Sequence, residues 1–266
     1  NLIGKTREIK EIFKLIEKIA KTESTILVVG ESGTGKEMAA RAIHYHSKRK
    51  DAPFVSINCA ALPETLLESE LFGYEKGAFT GAESKIGLLE VANGGTVFLD
   101  EVHHLSDEAQ AMLLRFIQDR KVRRVGGSIE KHVDVRLVFA AKPHLKVLVN
   151  EDKFLADLIY RMKQIKIDLP RLAERPNDVE VLCEFFLEKR RPSQSDSVPK
   201  QLHPDSLDML RGYSWPGNVR ELENLIERLS VLVSGPIILP EHIEKYGELE
   251  GAANVENVAV LESLEQ

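Results

Sequence analysis

Residues 30–36 combine three glycines and a lysine at a spacing that favours phosphate binding. The run Gly30-Glu31-Ser32-Gly33-Thr34-Gly35-Lys36 fits the pattern G-x-x-x-x-G-K. Glycine suits such a loop because backbone N–H groups must approach phosphate oxygens without a Cβ in the way. Lys36 would place its charge on the β- and γ-phosphates, and a following helix would direct its positive N-terminal end at them. Glu37 stands where the general pattern has Ser or Thr for Mg²⁺, so the loop belongs to a subset.

A pair of carboxylates forms the second chemical pattern. The apolar residues 96–99 lead directly into Asp100 and Glu101. In an open parallel sheet the carboxyl ends of the strands face the ligand crevice. Asp100 would hold hydrated Mg²⁺ there, and Glu101 would orient the attacking water. Without a phosphate loop upstream, a surface turn would be the favoured interpretation of an Asp-Glu pair.

The elements around these patterns predict an α/β fold. Apolar runs alternate with helical patterns up to Pro170, which is typical of a parallel sheet covered by helices. These runs are expected to be strands at 25–29, 54–57, 96–99 and 135–139, with helices at 7–20, 37–46, 106–118 and 153–162. Beyond Pro170 only helical patterns remain, at 178–189, 204–211 and 218–233. We therefore expect an α/β nucleotide-binding domain at 1–172, an all-helical lid domain at 173–247 and a flexible acidic tail at 248–266.

Composition excludes several classes of protein. Of 266 residues, 43% are hydrophobic and 29% are charged, which excludes a disordered or fibrous chain. The longest apolar runs fall far short of the ~20 residues that a membrane helix needs, and two cysteines cannot make a disulfide framework. We expect a cytoplasmic protein with no membrane partner and with reduced, buried thiols. The net charge of −6 argues against broad electrostatic binding of DNA. The chain begins with Asn1 and has no leader, which predicts a segment of a longer protein.

A third motif narrows the choice among phosphate-binding ATPases. Residues Gly77-Ala78-Phe79-Thr80-Gly81-Ala82 form the GAFTGA signature, and the chain resembles the central AAA+ ATPase domain of bacterial enhancer-binding proteins, the activators of sigma-54 RNA polymerase. The runs GESGTGKE, GGTVFLDE and WPGNVRELEN match the same family. The resemblance extends over residues 2–246. From the residues alone, a buried Phe79 in a glycine-rich hairpin is the favoured interpretation, and the resemblance reverses that preference.

The resemblance implies a specific machine. ATP with Mg²⁺ would bind between subunits of a hexameric or heptameric ring, and the GAFTGA loop would contact sigma-54 and remodel the closed promoter complex. Promoter DNA would be contacted only indirectly, or through a DNA-binding domain absent from this chain. Asn58 would hold Glu101 away from water until the partner binds, Arg220 would reach the γ-phosphate, and Arg161 would act on the ATP of a neighbouring subunit. Asn58 could instead cap its strand, and Arg220 could be a plain surface arginine.

Two positions depart from the family pattern. Pro143 stands where relatives carry an Asn that senses the γ-phosphate and water, and Leu155 replaces one of two arginines that act across the subunit interface. These departures keep open one alternative function, a nucleotide-binding assembly switch with impaired hydrolysis. A second alternative is another AAA+ machine, such as a clamp loader or a protease unfoldase. His103 and His104 lack partners at zinc-ligand spacing, so we expect solvated or capping histidines. Residues 120–127 resemble a second loop on the same ring face, or else form a surface hairpin.

Overall fold

The computed structural model describes residues 2–79, 83–151, 153–190 and 200–249. The chain divides into two compact units. The first unit contains Leu2 and residues 10–169, and the second contains residues 3–9 and the chain from Pro170 onward. Of the predicted acidic tail, all but residues 248 and 249 lies outside the described residues. Within the described ranges, every helix is too short or too polar to span a lipid bilayer.

The strands are β1 (Ile26–Val29), β2 (Phe54–Asn58), β3 (Gly73–Tyr74), β4 (Lys85–Ile86), β5 (Thr96–Asp100), β6 (Lys121–Arg123), β7 (Glu130–His132), β8 (Arg136–Ala141), β9 (Ile165–Asp168), β10 (Gln201–Leu202) and β11 (Ile237–Ile238). The helices are α1 (Arg7–Ala20), α2 (Lys36–Tyr45), α3 (Glu64–Phe72), α4 (Leu88–Val91), α5 (Asp107–Asp119), α6 (Leu145–Asn150), α7 (Ala156–Met162), α8 (Asn177–Lys189), α9 (Pro204–Gly212), α10 (Asn218–Leu232) and α11 (Pro240–Tyr246).

A five-stranded parallel sheet with the order β2-β5-β8-β1-β9 forms the centre of the first unit. The three central strands are buried along almost their whole length, as their continuous apolar sequences predict. The four predicted strands are confirmed, whereas the edge strand β9 was missed. Its residues alternate between polar and apolar, which is a weaker signal than a continuous apolar run. The predicted helix at 153–162 is shorter than expected, since α7 begins only at Ala156.

The second unit packs its helices around a core that includes Trp215. The Trp215 indole is buried, and its Nε1 donates a hydrogen bond to the Leu210 carbonyl at 2.8 Å. The predicted all-helical lid is wrong in one detail, since the described residues of this unit include β10 and β11, two-residue strands that pair in parallel. Buried Asp178 binds residues 3–9 to this unit, because its carboxylate accepts hydrogen bonds from the amides of Lys5 and Thr6 and from the Thr6 hydroxyl. The sequence did not predict that connection.

Candidate functional site

The glycine-rich loop joins β1 to α2. Gly33 and Gly35 have φ values of 77° and 105°, which L side chains rarely adopt. A Cβ on Gly30 would lie 2.7 Å from the Thr34 hydroxyl and 3.1 Å from the Cβ of Leu169. Since α2 begins at Lys36, the glycine-rich loop and the N-terminal end of that helix lie together. This tight loop, which leaves no room for a Cβ on Gly30, fits a phosphate group at the N-terminus of α2.

Lys36 is buried although it carries a charge. Its Nζ donates to the carbonyl oxygens of Gly30 and Glu31, both at 3.1 Å, so the ammonium lies over the loop itself. Neutral carbonyls compensate a buried cation less well than an anion does. A phosphate would therefore be a better partner for Lys36 than the carbonyls it contacts. The neighbouring Glu37 carboxylate is bound by Arg41 Nε and Nη2 at 3.0 and 2.7 Å, one helical turn along α2. Glu37 therefore contributes its backbone amide, rather than a free carboxylate, to this end of the helix.

Asp100 ends β5, close to the phosphate loop. Burial raises the pKa of the Asp100 carboxyl, and the nearby Lys36 charge opposes that rise. One Asp100 oxygen accepts the backbone N–H of Glu101 at 2.9 Å. Carboxylate oxygens are the ligands that Mg²⁺ prefers, so Asp100 fits a magnesium site beside a bound phosphate.

Glu101 has a left-handed backbone with φ 53°, which is uncommon for a residue other than glycine. Such strain costs on the order of 1–3 kcal/mol and is concentrated at functional sites. The His104 side chain lies close to the Glu101 carboxylate, with its Nε2 3.9 Å away. This backbone therefore projects a carboxylate from the end of β5, where the proposed water would be activated.

Asn58 lies at the same edge of the sheet, because the β2–β5 register pairs it with Asp100. Its side-chain oxygen accepts the backbone N–H of Ala60 at 2.8 Å. Asn58 therefore caps the end of its strand, which is the alternative that the sequence left open. That Asn58 keeps the Glu101 carboxylate away from the attacking water stays a prediction.

The GAFTGA residues lie between β3 and β4, two short antiparallel strands. Phe79 is 52% exposed, and its ring contacts Tyr74 at a centroid distance of 4.9 Å. The alternative of a buried phenylalanine is therefore wrong. Gly77 and Ala78 lie in the turn before Phe79, whereas Thr80, Gly81 and Ala82 lie outside the described residues. We call residues 73–79 the arm.

A second hairpin, β6–β7, is bonded to the arm. Val125 accepts the amide of Glu75 and donates its own amide to the Gly73 carbonyl. Arg124 Nε and Nη2 bind the Glu90 carboxylate at 2.7 and 3.2 Å, and its Nη1 binds Glu75 at 3.0 Å. The two hydrogen bonds from Arg124 to Glu90 hold the pKa of the Glu90 carboxyl below its usual range. Residues 121–132 thus form a hairpin, which was one of the two alternatives, and a second loop on a ring face stays a prediction. No sequence spacing identified Glu90 as a partner of Arg124.

The remaining predicted residues belong to elements other than the phosphate loop and the end of β5. Arg161 is exposed in the last turn of α7, and Leu155, 39% exposed, precedes that helix. Pro143 is exposed and lies two residues beyond the end of β8. Arg220 lies in the first turn of α10 in the second unit. The structure therefore brings together the phosphate loop and the acidic strand end, and it places Arg161 on a surface that a neighbouring subunit could reach.

A parallel sheet with a phosphate loop after β1, acidic residues at the end of β5 and a helical second unit defines the AAA+ class of P-loop ATPases. The chain belongs to the family of the sigma-54 interaction domain, whose model matches residues 2–168. Residues 173–258 match the AAA+ ATPase lid domain. This confirms the resemblance that the GAFTGA motif indicated.

Individual relatives agree with this assignment. The chain is 49% identical to a Nif-specific regulatory protein of Herbaspirillum seropedicae over 91% of its own length and 45% of the relative's. It is 48% identical to the regulatory protein AtoC of Escherichia coli, covering 88% of this chain and 50% of AtoC. The crystal structure of NtrX from Brucella abortus in complex with ATP superposes with a TM-score of 0.84 at 36% identity, covering 91% of this chain and 54% of NtrX. The chain thus spans about half the length of these relatives.

Proposed function

We propose that this chain hydrolyses ATP as a subunit of a ring and uses the energy to move its arm against sigma-54. The half-exposed Phe79 at the described end of the arm is the observation that carries this proposal. An aromatic side chain on a glycine-rich segment is a contact point rather than part of the core. The ATP complex of NtrX supports the nucleotide, and the family supports sigma-54 as the partner.

Each residue of the site has a distinct part in this reaction. The loop amides and Lys36 would hold the phosphates, and Asp100 would hold Mg²⁺, which supplies charge neutralisation on the phosphate oxygens when bound. Glu101 would accept a proton from the attacking water. Asn58 would restrain Glu101 until sigma-54 binds, and Arg220 would reach the γ-phosphate from the lid. We propose residues 1–172 and 173–247 as the two functional domains.

The site is completed by a second copy of the chain. Arg161 is exposed and would act on ATP bound by the neighbouring subunit, where such an arginine supplies about 10³–10⁵ in rate in well-studied hydrolases. With Leu155 in place of the other arginine, Arg161 would act alone. In a ring of six or seven subunits, every ATP site would receive an Arg161 from its neighbour. The ring would be cytoplasmic, because its partner, RNA polymerase, is cytoplasmic. Promoter DNA would be contacted only indirectly, or through a DNA-binding domain outside this sequence.

ATPase activity measured against protein concentration tests catalysis and shared sites together. The specific activity should rise with concentration and then level off as rings form. Lys36→Ala should abolish turnover, whereas Lys14→Ala, which replaces an exposed lysine of α1, should leave it unchanged. Specific activity that stays constant over the whole concentration range would contradict the shared site.

Binding of sigma-54 is tested separately. Phe79→Ala should abolish capture of sigma-54 in the presence of ADP and aluminium fluoride, while ATPase activity is kept. Phe185→Ala, which replaces an exposed aromatic of the second unit, is the matched control. If sigma-54 fails to bind wild-type protein under every nucleotide condition, the activator proposal is wrong. The chain would then act as part of another AAA+ machine.

Pro143 and Leu155 favour a second candidate, a nucleotide-binding assembly switch with impaired hydrolysis. Such a protein would form rings with ATP but release phosphate at a rate near zero. Sedimentation with ATP, combined with a phosphate-release assay on the same sample, separates the two. Robust turnover in the assembled sample would exclude the switch.

A further inference from the structure

A buried carboxylate of the second unit holds the segment that precedes α1. We call residues 2–6 the strap. The Oδ1 atom of Asp178 accepts the backbone N–H groups of Lys5 and Thr6 at 2.6 and 2.9 Å, and its Oδ2 atom accepts the Thr6 hydroxyl at 2.9 Å. Its side chain is fully buried, and the Nη1 atom of Arg175, which is also buried, lies 3.7 Å away. Because water cannot replace these donors, Asp178 binds the strap firmly.

Packing around Gly4 is too close for a side chain at that position. A Cβ on Gly4 would lie 2.7 Å from Asp178 Oδ2 and 2.7 Å from the Cγ2 atom of Ile9. The preceding residue, Ile3, packs against the hydrophobic core of the second unit. Three kinds of contact therefore fix this part of the strap, namely hydrogen bonds to a carboxylate, close backbone packing and an apolar anchor.

The first residue of the strap lies beside the phosphate loop. Leu2 belongs to the first unit, whereas Ile3, the next residue, belongs to the second. The Cδ1 atom of Leu2 would lie 3.3 Å from a Cβ on Gly35, the last glycine of the loop. Leu2 and Met38, in the first turn of α2, also line one cavity of about 440 Å³. The chain therefore passes from the phosphate loop to the Asp178 carboxylate within four residues.

We propose that Asp178 is a positioning residue for ATP, because the strap that it holds keeps Leu2 packed on the phosphate loop. This rests on the proposed binding of ATP at that loop. Gly35 has a φ of 105° and α2 begins at the next residue, so the packing of Leu2 supports the turn that leads into the helix. When the strap is released, the phosphate-binding form of the loop is populated for a smaller fraction of the time, and the apparent Kd for nucleotide rises by the inverse of that fraction.

Replacement of Asp178 tests this link through nucleotide affinity. Asp178→Ala removes all three hydrogen bonds, and a strap that is then held a tenth of the time raises the Kd for a fluorescent ATP analogue about tenfold. Asp178→Asn keeps one oxygen that accepts both backbone N–H groups, so its Kd should rise less than about threefold. Ser206→Ala, which removes a buried hydrogen bond to the Ile238 carbonyl in the second unit, is the control. It should lower the melting temperature without changing the Kd.

Gly4→Ala disturbs the strap from its own side and keeps the ion pair between Asp178 and Arg175. Its Cβ would push the strap away from Asp178 Oδ2, so the Kd should again rise about tenfold. Gly212→Ala, in the same unit and with nothing within 4 Å of its Cβ, should leave the Kd unchanged. If Gly4→Ala, or a folded Asp178→Ala protein, binds the analogue as tightly as wild type does, the inference is overturned.

Removal of the Leu2 side chain tests whether the effect passes along the strap. Leu2→Ala should itself raise the Kd, and in that background Asp178→Ala should raise it by less than about twofold more, because the contact through which it acts is gone. A general loosening of the second unit would instead raise the Kd by the same factor in both backgrounds, which would overturn the inference. Since the Kd is measured without turnover, a wild-type protein that binds the analogue but releases no phosphate would contradict the proposed hydrolysis alone.

Discussion

Replacement of Arg124 tests how firmly the arm is held. The Arg124 and Glu90 side chains are 14% and 10% exposed, and two hydrogen bonds join them. A third bond joins Arg124 to Glu75 at the start of the arm. Arg124→Gln would remove all three charge-assisted bonds and leave Glu90 largely buried with Lys131, 3.0 Å away, as its remaining partner.

The expected loss in the free energy of unfolding is about 2 kcal/mol. Exposed ion pairs contribute about 0.2–1 kcal/mol, and loss of one partner of a fully buried pair costs about 3–5 kcal/mol. Glu90 lies between these limits, since it is shielded from water but retains its ion pair with Lys131. Loss of the bond to Glu75 adds little, because the Glu75 side chain is 40% exposed and water can solvate it. For a protein of this size the loss corresponds to a fall in melting temperature of about 4–8 °C.

Urea unfolding of wild type, Arg124→Gln, Glu90→Gln and the double variant measures the coupling free energy. We expect about 1 kcal/mol or more for this pair, and less for Lys121 and Glu130, an exposed pair on the same hairpin. Folding lowers the pKa of the Glu90 carboxyl. The ionised carboxylate therefore adds its full contribution to the free energy of unfolding above pH 4.5, the pKa in the unfolded chain, and this contribution is lost as the pH falls through the lower pKa of the folded protein. The difference between wild type and Arg124→Gln should therefore shrink below pH 4.5. A coupling near zero, or a difference that grows in acid, would refute the reasoning.

Three further predictions follow from burial and backbone geometry. Gly30→Ala should greatly weaken binding of a fluorescent ATP analogue because its Cβ would lie 2.7 Å from the Thr34 hydroxyl, whereas Gly212→Ala, with nothing near its Cβ, should bind normally. Trp215→Ala should destabilise the second unit by about 3–5 kcal/mol in urea unfolding, and an unchanged midpoint would contradict the assigned core. Burial raises the pKa of the Cys59 thiol to about 12 and that of Cys183 as well, so neither should react with a thiol reagent at pH 8 until urea is added. Rapid labelling of folded protein would show that this part of the core is open.

The sequence by itself determined the backbone of the phosphate loop and the positions along the chain of four of the five sheet strands. Both are local properties: glycine spacing sets the backbone of residues 30–36, and continuous apolar runs are sufficient to indicate buried strands. The GAFTGA signature likewise identified the family before any contact was known. These features were predictable because each is contained in one short stretch of chain.

Only the tertiary structure decided which distant residues meet. Arg124 binds Glu90 and Glu75 across 34 and 49 residues, and Asp178 binds the amide of Lys5 across 173. The 3₁₀ turn Val102–His104 likewise packs against β8, a contact that no spacing along the chain predicted. Hydrogen bonding and desolvation depend on distance in space, and a single sequence records only neighbours along the chain.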